Sequence, residues 1–516
     1  MSALAGVWSI ARADFLERSR RYQYFATLVV TLAAGVFFVP PRGANYVAFT
    51  VDGYRGIYNS AWMGAMMAML ATTALSLFGF YLVKSAIEVD RQTRVGEIVA
   101  STSVRKLAYV TGKWLGSVAV LLSLGLVLVA DAVIMQWVRG EDRSIGLAAI
   151  AFPFAVVLVP VAALVAAMAV GFEAVPVLRG GFGNVVYFFA WIFGLSASAQ
   201  TDKKLPVWWT DPLGLVTVGR QVDAAVSKIA PHSAKDFSMV MGGGPGAERY
   251  FVWHGFEWTA SDLAARALWV AVAFGIVALA ASAFDRFASG ARPASERAPK
   301  TWMLHAAESV ERITAPVFDR VFAGDLGSLV LAELRLMLKG ANFWWYAVAL
   351  GLWIATLASP SAAQSALLGV IWLWPILIWS QMGTRESIDD TEGFVYPSLH
   401  PLRRQFLASW IAGIAVALLL GSGSLVHWIA LGSYGGAAAV LAGAVFVPTL
   451  ALACGAASGT SRLFEVVYLV LWYVGPMNGV KGVDFTAPSG TQAALAATAV
   501  LFAVAFTMRR LRLRRA

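Results

Sequence analysis

The chain has 516 residues, of which 59% are hydrophobic and only 14% charged, with a mean hydropathy of +0.68. Soluble globular domains carry about 25% charged residues, so this composition excludes a soluble enzyme or binding module and predicts a polytopic membrane protein. The pI near 9.7 and net charge of +10 would also suit a nucleic-acid partner, but in a membrane protein excess Lys and Arg mark cytoplasmic loops, and that reading is preferred.

In chain order, Leu4, Trp8, Ala11 and Phe15 share one helical face while Arg12, Asp14 and Arg18 point away, the pattern of a helix lying in the membrane interface. The arginines from Arg12 to Arg21 follow a short apolar stretch instead of preceding it, which argues against a cleavable signal. Apolar stretches of roughly 17–25 residues then predict about twelve spans. They lie near 22–40, 60–83, 114–138, 147–170, 184–199, 264–283, 342–358, 366–382, 406–424, 436–455, 464–480 and 491–508. An even count puts both termini on one side. Most of the 40 Lys and Arg, including Arg509, Arg510 and Arg512, fall in segments this scheme places inside, so both termini are expected in the cytoplasm of a multi-pass protein, in a bacterial inner membrane. Pro153, Pro160, Pro375 and Pro448 are candidate kinks. Met63, Met66, Met67 and Met69 read as packing in an apolar helix rather than metal traffic.

The chain repeats itself. An acidic cluster, a glycine (Gly96, Gly393), an apolar stretch, a serine (Ser101, Ser398) and a basic pair (Arg105-Lys106, Arg403-Arg404) precede re-entry into the membrane in both copies. Ala13-Asp14-Phe15-Leu16 is answered by Ala332-Glu333-Leu334-Arg335, and Val185-Val186-Tyr187 with Trp191 by Val466-Val467-Tyr468 with Trp472. The expected fold class is therefore all-α and polytopic: two parallel six-helix repeats, 1–285 and 325–516, joined by a cytoplasmic linker, 286–324. Six spans per half give both copies one orientation, unlike the inverted repeats of many secondary transporters. The long external segment 200–262, with a possible amphipathic helix near Val216–Ile229, has no counterpart in the second half and is a possible site for a further partner.

In these residues the sequence resembles a permease of the ABC-2 type exporter family with both half-transporters fused. In the first half the resemblance rests on Glu88, Asp90, Gly96-Glu97, Ser103, Arg105 and Gly112-Lys113, and in the second on Glu386, Asp389, Gly393, Pro397-Ser398, Arg403-Arg404 and Gly413. Trp410 stands where the lysine would be, and the second loop is shorter. The resemblance implies interfacial elbow helices and coupling helices in the loops between second and third spans. These would dock two copies of an ATPase subunit through Glu88, Asp90, Gly96, Glu97, Arg105, Lys106, Glu386, Asp389, Gly393, Arg403 and Arg404. It implies ATP and Mg bound by those partners, no cofactor in this chain, and outward movement of an amphipathic, lipid-like, peptide or drug substrate. Independently of any family, a glycine followed by an apolar-and-basic stretch between two membrane helices makes a short helix suited to a groove on a soluble partner.

The chain carries no phosphate loop of its own, since Trp114 follows Gly112-Lys113 where Ser or Thr is required. No catalytic or metal-ligand set is expected. Intramembrane ionisable residues are functional suspects, which singles out Asp131 in the third span and His427 near the end of the ninth as weak substrate-pathway candidates, with Glu173 and Glu465 nearer the span ends. Two other classes of function remain: an ion-coupled secondary carrier using Asp131, and a membrane-embedded lipid-acting enzyme using His232, His254 or Glu257.

Overall fold

The computed structural model describes residues 3–41, 48–51, 54–199, 211–229, 239–241, 249–285, 287, 324–338, 343–388, 402, 404–477 and 479–513. They are predominantly helical. Seven helices are long and apolar enough to cross a membrane: Ser60–Gln92, Lys106–Arg139, Leu147–Ala174, Ala260–Ala283, Gln405–Ala430, Tyr434–Ser458 and Pro488–Leu513. The molecule is a helical membrane protein. Contacts divide the chain into two compact units, Met1–Gly290 and Ala291–Ala516.

Unit 1 begins with α1 (Ala3–Ser19) and α2 (Tyr22–Phe38), followed by α3 (Ser60–Val83). The side chain of Asn59 caps α3 by accepting from the Trp62 amide at 2.9 Å, satisfying one of the donors a helix start leaves open. Two short helices, α4 (Ala86–Gln92) and α5 (Val95–Ser101), lead into α6 (Lys106–Arg139). After α7 (Leu147–Pro153) the chain makes a π turn over Phe154–Leu158 and continues as α8 (Val159–Ala174). Pro153 and Pro160, which lack amide donors, flank that turn. Then come α9 (Gly181–Ala199), α10 (Leu215–Ile229) and α11 (Ala260–Ala283). α1, α2, α3 and α8 all pack on α6, and α11 packs on α8. Met63, Met66, Met67 and Met69 are buried in the packing of α3.

Two features of unit 1 differ from the expectation. The helices are joined by a four-stranded sheet of order β3-β1-β2-β4, made from β1 (Phe49–Val51), β2 (Tyr54–Gly56), β3 (Met239–Met241) and β4 (Arg249–Phe251). β1 runs antiparallel to β2 and β3, and β2 is parallel to β4. Strands of three residues are too short to show an alternating pattern. Trp62 at the start of α3 anchors the sheet, packing on Phe49, Phe251 and Trp253. The second difference is the roll of α1. Leu4 and Trp8 are exposed, whereas Ala11 and Asp14 are buried. α1 lies on α6 where Gly112 and Gly116 let it approach closely, and Asp14 faces inward because a lysine on α6 awaits it.

Unit 2 follows a similar order. α12 (Asp325–Leu338) and α13 (Phe343–Ala358) precede α14 (Gln364–Leu373), which Pro375 separates from the single turn α15 (Ile376–Trp379). A further turn, α16 (Arg385–Ile388), is followed by α17 (Gln405–Ala430), α18 (Tyr434–Ser458), α19 (Ser461–Trp472) with a π turn over Tyr473–Met477, and α20 (Thr491–Leu513). α12, α13, α14 and α18 pack on α17, and α20 packs on α18. Pro448 sits inside α18 without ending it. Between the π turn and α20, Asp484, Phe485 and Thr486 are buried, and Phe485 packs among Trp372, Phe446 and Tyr468.

Matched side chains make matched bonds. Tyr187 of α9 donates to the Ser76 carbonyl of α3, and Tyr468 of α19 donates to the Trp372 carbonyl of α14. One turn on, Trp191 donates to the Ser76 hydroxyl and Trp472 to the Gly369 carbonyl.

Candidate docking loops and the polar clusters beneath them

The loop of unit 1 turns at Arg94, whose φ of 59° is left-handed, and starts α5 with Glu97 in its first turn, where an acid suits the positive end of a helix. Gly96 is buried because the ring of Phe287 lies against it, where a Cβ would overlap. Outward, Val95, Ile98 and Leu107 are 41%, 65% and 49% exposed. Arg94, Glu97, Arg105 and Lys106, their neighbours along the chain, are also exposed. Val95 and Ile98, three positions apart on α5, share one helix face, which is apolar and has charged neighbours along the chain.

Behind that face the loop is braced. The Glu173 carboxylate at the end of α8 accepts from the amides of Ile87 and Glu88 at 2.6 and 3.2 Å, capping α4. Asp90 is buried and accepts from the Tyr109 hydroxyl at 2.5 Å. Lys113 of α6 lies 2.8 Å from Asp90 and 3.0 Å from Asp14 of α1, and Arg18 is 3.1 Å from Asp14. One lysine thus holds three elements, α1, α4 and α6. Removing one member of such a buried pair strands the other charge, at a cost of about 3–5 kcal/mol. Arg91 and Arg179 each approach Asp285 to 3.0 Å. Burial works to raise the Asp285 carboxyl, but the Arg179 hydrogen bond and the charges of Arg91 and Arg179 outweigh it, and its pKa falls below the ordinary carboxylate value. Lys84 donates to Asn184 Oδ1 at 2.7 Å and to the Gly180 carbonyl at 3.1 Å.

In unit 2, Asp389, Gly393 and Arg403 lie outside the described residues, as do His232 and nearly all of the 286–324 linker. Glu386 faces inward, taking two bonds from Arg509 of α20 at 2.8 and 3.1 Å and one from Gln405 at 3.1 Å. Glu333 of α12, the counterpart of Asp14, pairs with Arg385 at 3.4 Å. Burial pushes the Glu333 carboxyl above its ordinary pKa, with Arg385 working against that. Arg404 is exposed and 2.9 Å from Asp325.

Of the residues singled out from the sequence, Glu97, Arg105, Lys106 and Arg404 are on the surface, Glu88 is half-buried, and Asp90, Gly96 and Glu386 turn inward. Asp131 is buried against Gly35 of α2, where a side chain on residue 35 would overlap the carboxyl. His427 sits 3.4 Å from the Ser361 hydroxyl. Exposed His254 and Glu257 follow β4, the Glu257 amide donating to Gln221 of α10 at 3.0 Å. Among the described residues, no three His, Cys, Asp or Glu side chains stand together as metal ligands would. The sequence reading passed over Asp14, Lys113 and Tyr109 as a cluster and took Arg509 only as a topology charge. A lysine near a span end, one helical position from a glycine and facing an acid on the preceding interfacial helix, was the signal available. No known protein family matches the chain, and no curated protein matches it in sequence.

Proposed function

We propose that the chain is the membrane-spanning subunit of an ATP-driven exporter, moving an amphipathic, lipid-like, peptide or drug substrate outward while separate ATPase subunits hydrolyse ATP. The observation that carries this reading is the loop of unit 1: Val95 and Ile98 are exposed on one face of α5, Leu107, Arg94, Glu97, Arg105 and Lys106 nearby in the chain are exposed too, and Asp90 of the same loop is held by buried ion pairs. A loop that served only to fix topology needs charge but neither an apolar face nor a brace. The partner's surface would offer an apolar groove with acidic residues beside it. If the four shorter apolar helices and the 461–477 element also cross, the seven long helices are joined by five more, six spans per unit; this reading puts both docking loops and both termini in the cytoplasm. The parallel helix pairings and the matched Tyr187 and Tyr468 bonds support reading the units as a repeat. In this reading the chain performs no covalent chemistry.

The test is capture of the partner. Affinity-purified chain from its native membrane should bring down an ATPase subunit with bound-nucleotide chemistry. Ile98→Asp and the Arg105→Glu, Lys106→Glu double variant should each lower capture at least tenfold while membrane insertion is unchanged. Undiminished capture and ATP hydrolysis in both variants would remove this loop as the docking element.

A further inference from the structure

In each unit a residue at or just past the C-terminal end of the last described helix grips the loop of the same unit, and the two grips carry opposite charge. In unit 1 the acid belongs to the helix end. Asp285, two residues past α11, takes Arg91 of α4 at 3.0 Å, and Arg179 at 3.0 Å. Phe284 stacks on Tyr109 at 5.4 Å between ring centres, and Phe287 covers Gly96. In unit 2 the base belongs to the helix. Arg509 on α20 makes a two-pronged pair with Glu386 at 2.8 and 3.1 Å, with side chains only 6% and 14% exposed.

The second pair is the stiffer in kind. A planar guanidinium holding both oxygens of a carboxylate fixes orientation as well as distance, and neither partner of a buried pair can leave without stranding the other. The nearby Arg404–Asp325 pair, 44% and 80% exposed, has no such constraint.

The gripping helices are also the two least enclosed of the seven long ones. In the most apolar 18 residues of each, only 28% of α11 and 17% of α20 is buried, against 44–83% for the other five. A helix packed along one side tilts with less loss of contact than one packed all round.

We propose that the last helix of each unit is the element its loop drives, with Asp285 and Arg509 as positioning residues that carry loop displacement into α11 and α20. The inference rests on the docking reading above, and it assigns the coupling step to these residues rather than to the docking face. Reversed polarity gives the two units the same mechanical link from different residues, which is why aligning the two loops does not reveal it.

The experiment uses the full chain with its captured ATPase in vesicles. Arg509→Glu should leave ATPase capture within twofold of the parent and lower substrate moved per ATP hydrolysed at least tenfold. Adding Glu386→Arg to restore the pair in reverse should recover transport to within threefold. The same variants are followed by hydrogen exchange in the chain alone. Arg509→Glu should raise exchange in the α17 start and the last turns of α20, and the reversed pair should restore protection. A single variant that transports normally, or a double variant as impaired as the single one, overturns the inference. If the parent captures no ATPase, the exporter reading fails, and with it the assigned role in transport. Unchanged hydrogen exchange in Arg509→Glu would independently rule out Arg509 as a tie between loop and helix.

Discussion

Asp285 ties pH to the integrity of the loop between α3 and α6. Two guanidiniums face its carboxylate, and its pKa is depressed in the folded protein. A group whose folded pKa lies below its unfolded value stabilises the fold above the unfolded value, and that contribution is lost as pH falls through the folded pKa. Wild type should therefore lose stability below about pH 4, the ordinary aspartate value, more steeply than Asp285→Asn. Thermal unfolding of the detergent-solubilised protein between pH 6 and pH 3 measures this. A difference between the two proteins that stays constant over the whole range would mean the carboxylate is not held ionised by Arg91 and Arg179. Only part of this chemistry was legible in the sequence. Asp90 stood out as one of a charged loop's acids, but its burial against Tyr109 and Lys113 depends on how α1 and α6 cross, which residue order does not state.

At the scale of elements, the crossing of α2 and α6 shows what holds a peripheral membrane helix in place. Tyr24 meets Ser123 at 2.7 Å, Gly35 meets Asp131, and Arg139 donates to the carbonyls of Val36 and Val39. The α6 residues recur every eight positions, an advance of about 80° at each step, so the contact winds around α6 along its length. Lipid is as apolar as leucine, so close approach at a small residue and polar contacts must supply the attraction. Gly35→Leu should force the helices apart and destabilise unit 1 by about 1–3 kcal/mol, the range for overpacking. Asp131→Asn, which preserves the shape, should cost around 1 kcal/mol or less. Unfolding of purified variants in mixed micelles checks the order, and a Gly35→Leu protein as stable as wild type would show that the crossing is not close-packed. Hydrophobic length alone gave the positions of nearly all the long helices, because a run of apolar residues is read directly from sequence. Pro153 and Pro375 were legible as candidate kinks, and the helix does change at both; the π turn after Trp472 and the sheet were not legible. They depend on neighbours far along the chain, such as Met239–Met241 pairing with Phe49–Val51.

For the whole molecule, a parallel repeat would set the strongest constraint on topology. If two units of six spans are parallel copies, the loops around Ser101 and Arg404 and the end of α20 all share one face of the membrane, and α10 and the Gly479–Gly482 turn share the other. An inverted repeat would put the second docking loop opposite the first. Labelling single cysteines with a membrane-impermeant reagent in intact cells distinguishes the two, on a Cys454→Ser background that removes the one buried thiol. The probe sites are chosen for exposure: Ser101 and Arg510 for the loop face, Lys228 and Lys481 for the opposite face. Lys228→Cys and Lys481→Cys should react in intact cells, whereas Ser101→Cys and Arg510→Cys should react only after permeabilisation. Reaction of Arg510→Cys together with Lys228→Cys in intact cells would place the two halves in opposite orientations. The parallel repeat would then fall, and the exporter reading that requires both docking loops to face the same ATP-bearing compartment would fall with it.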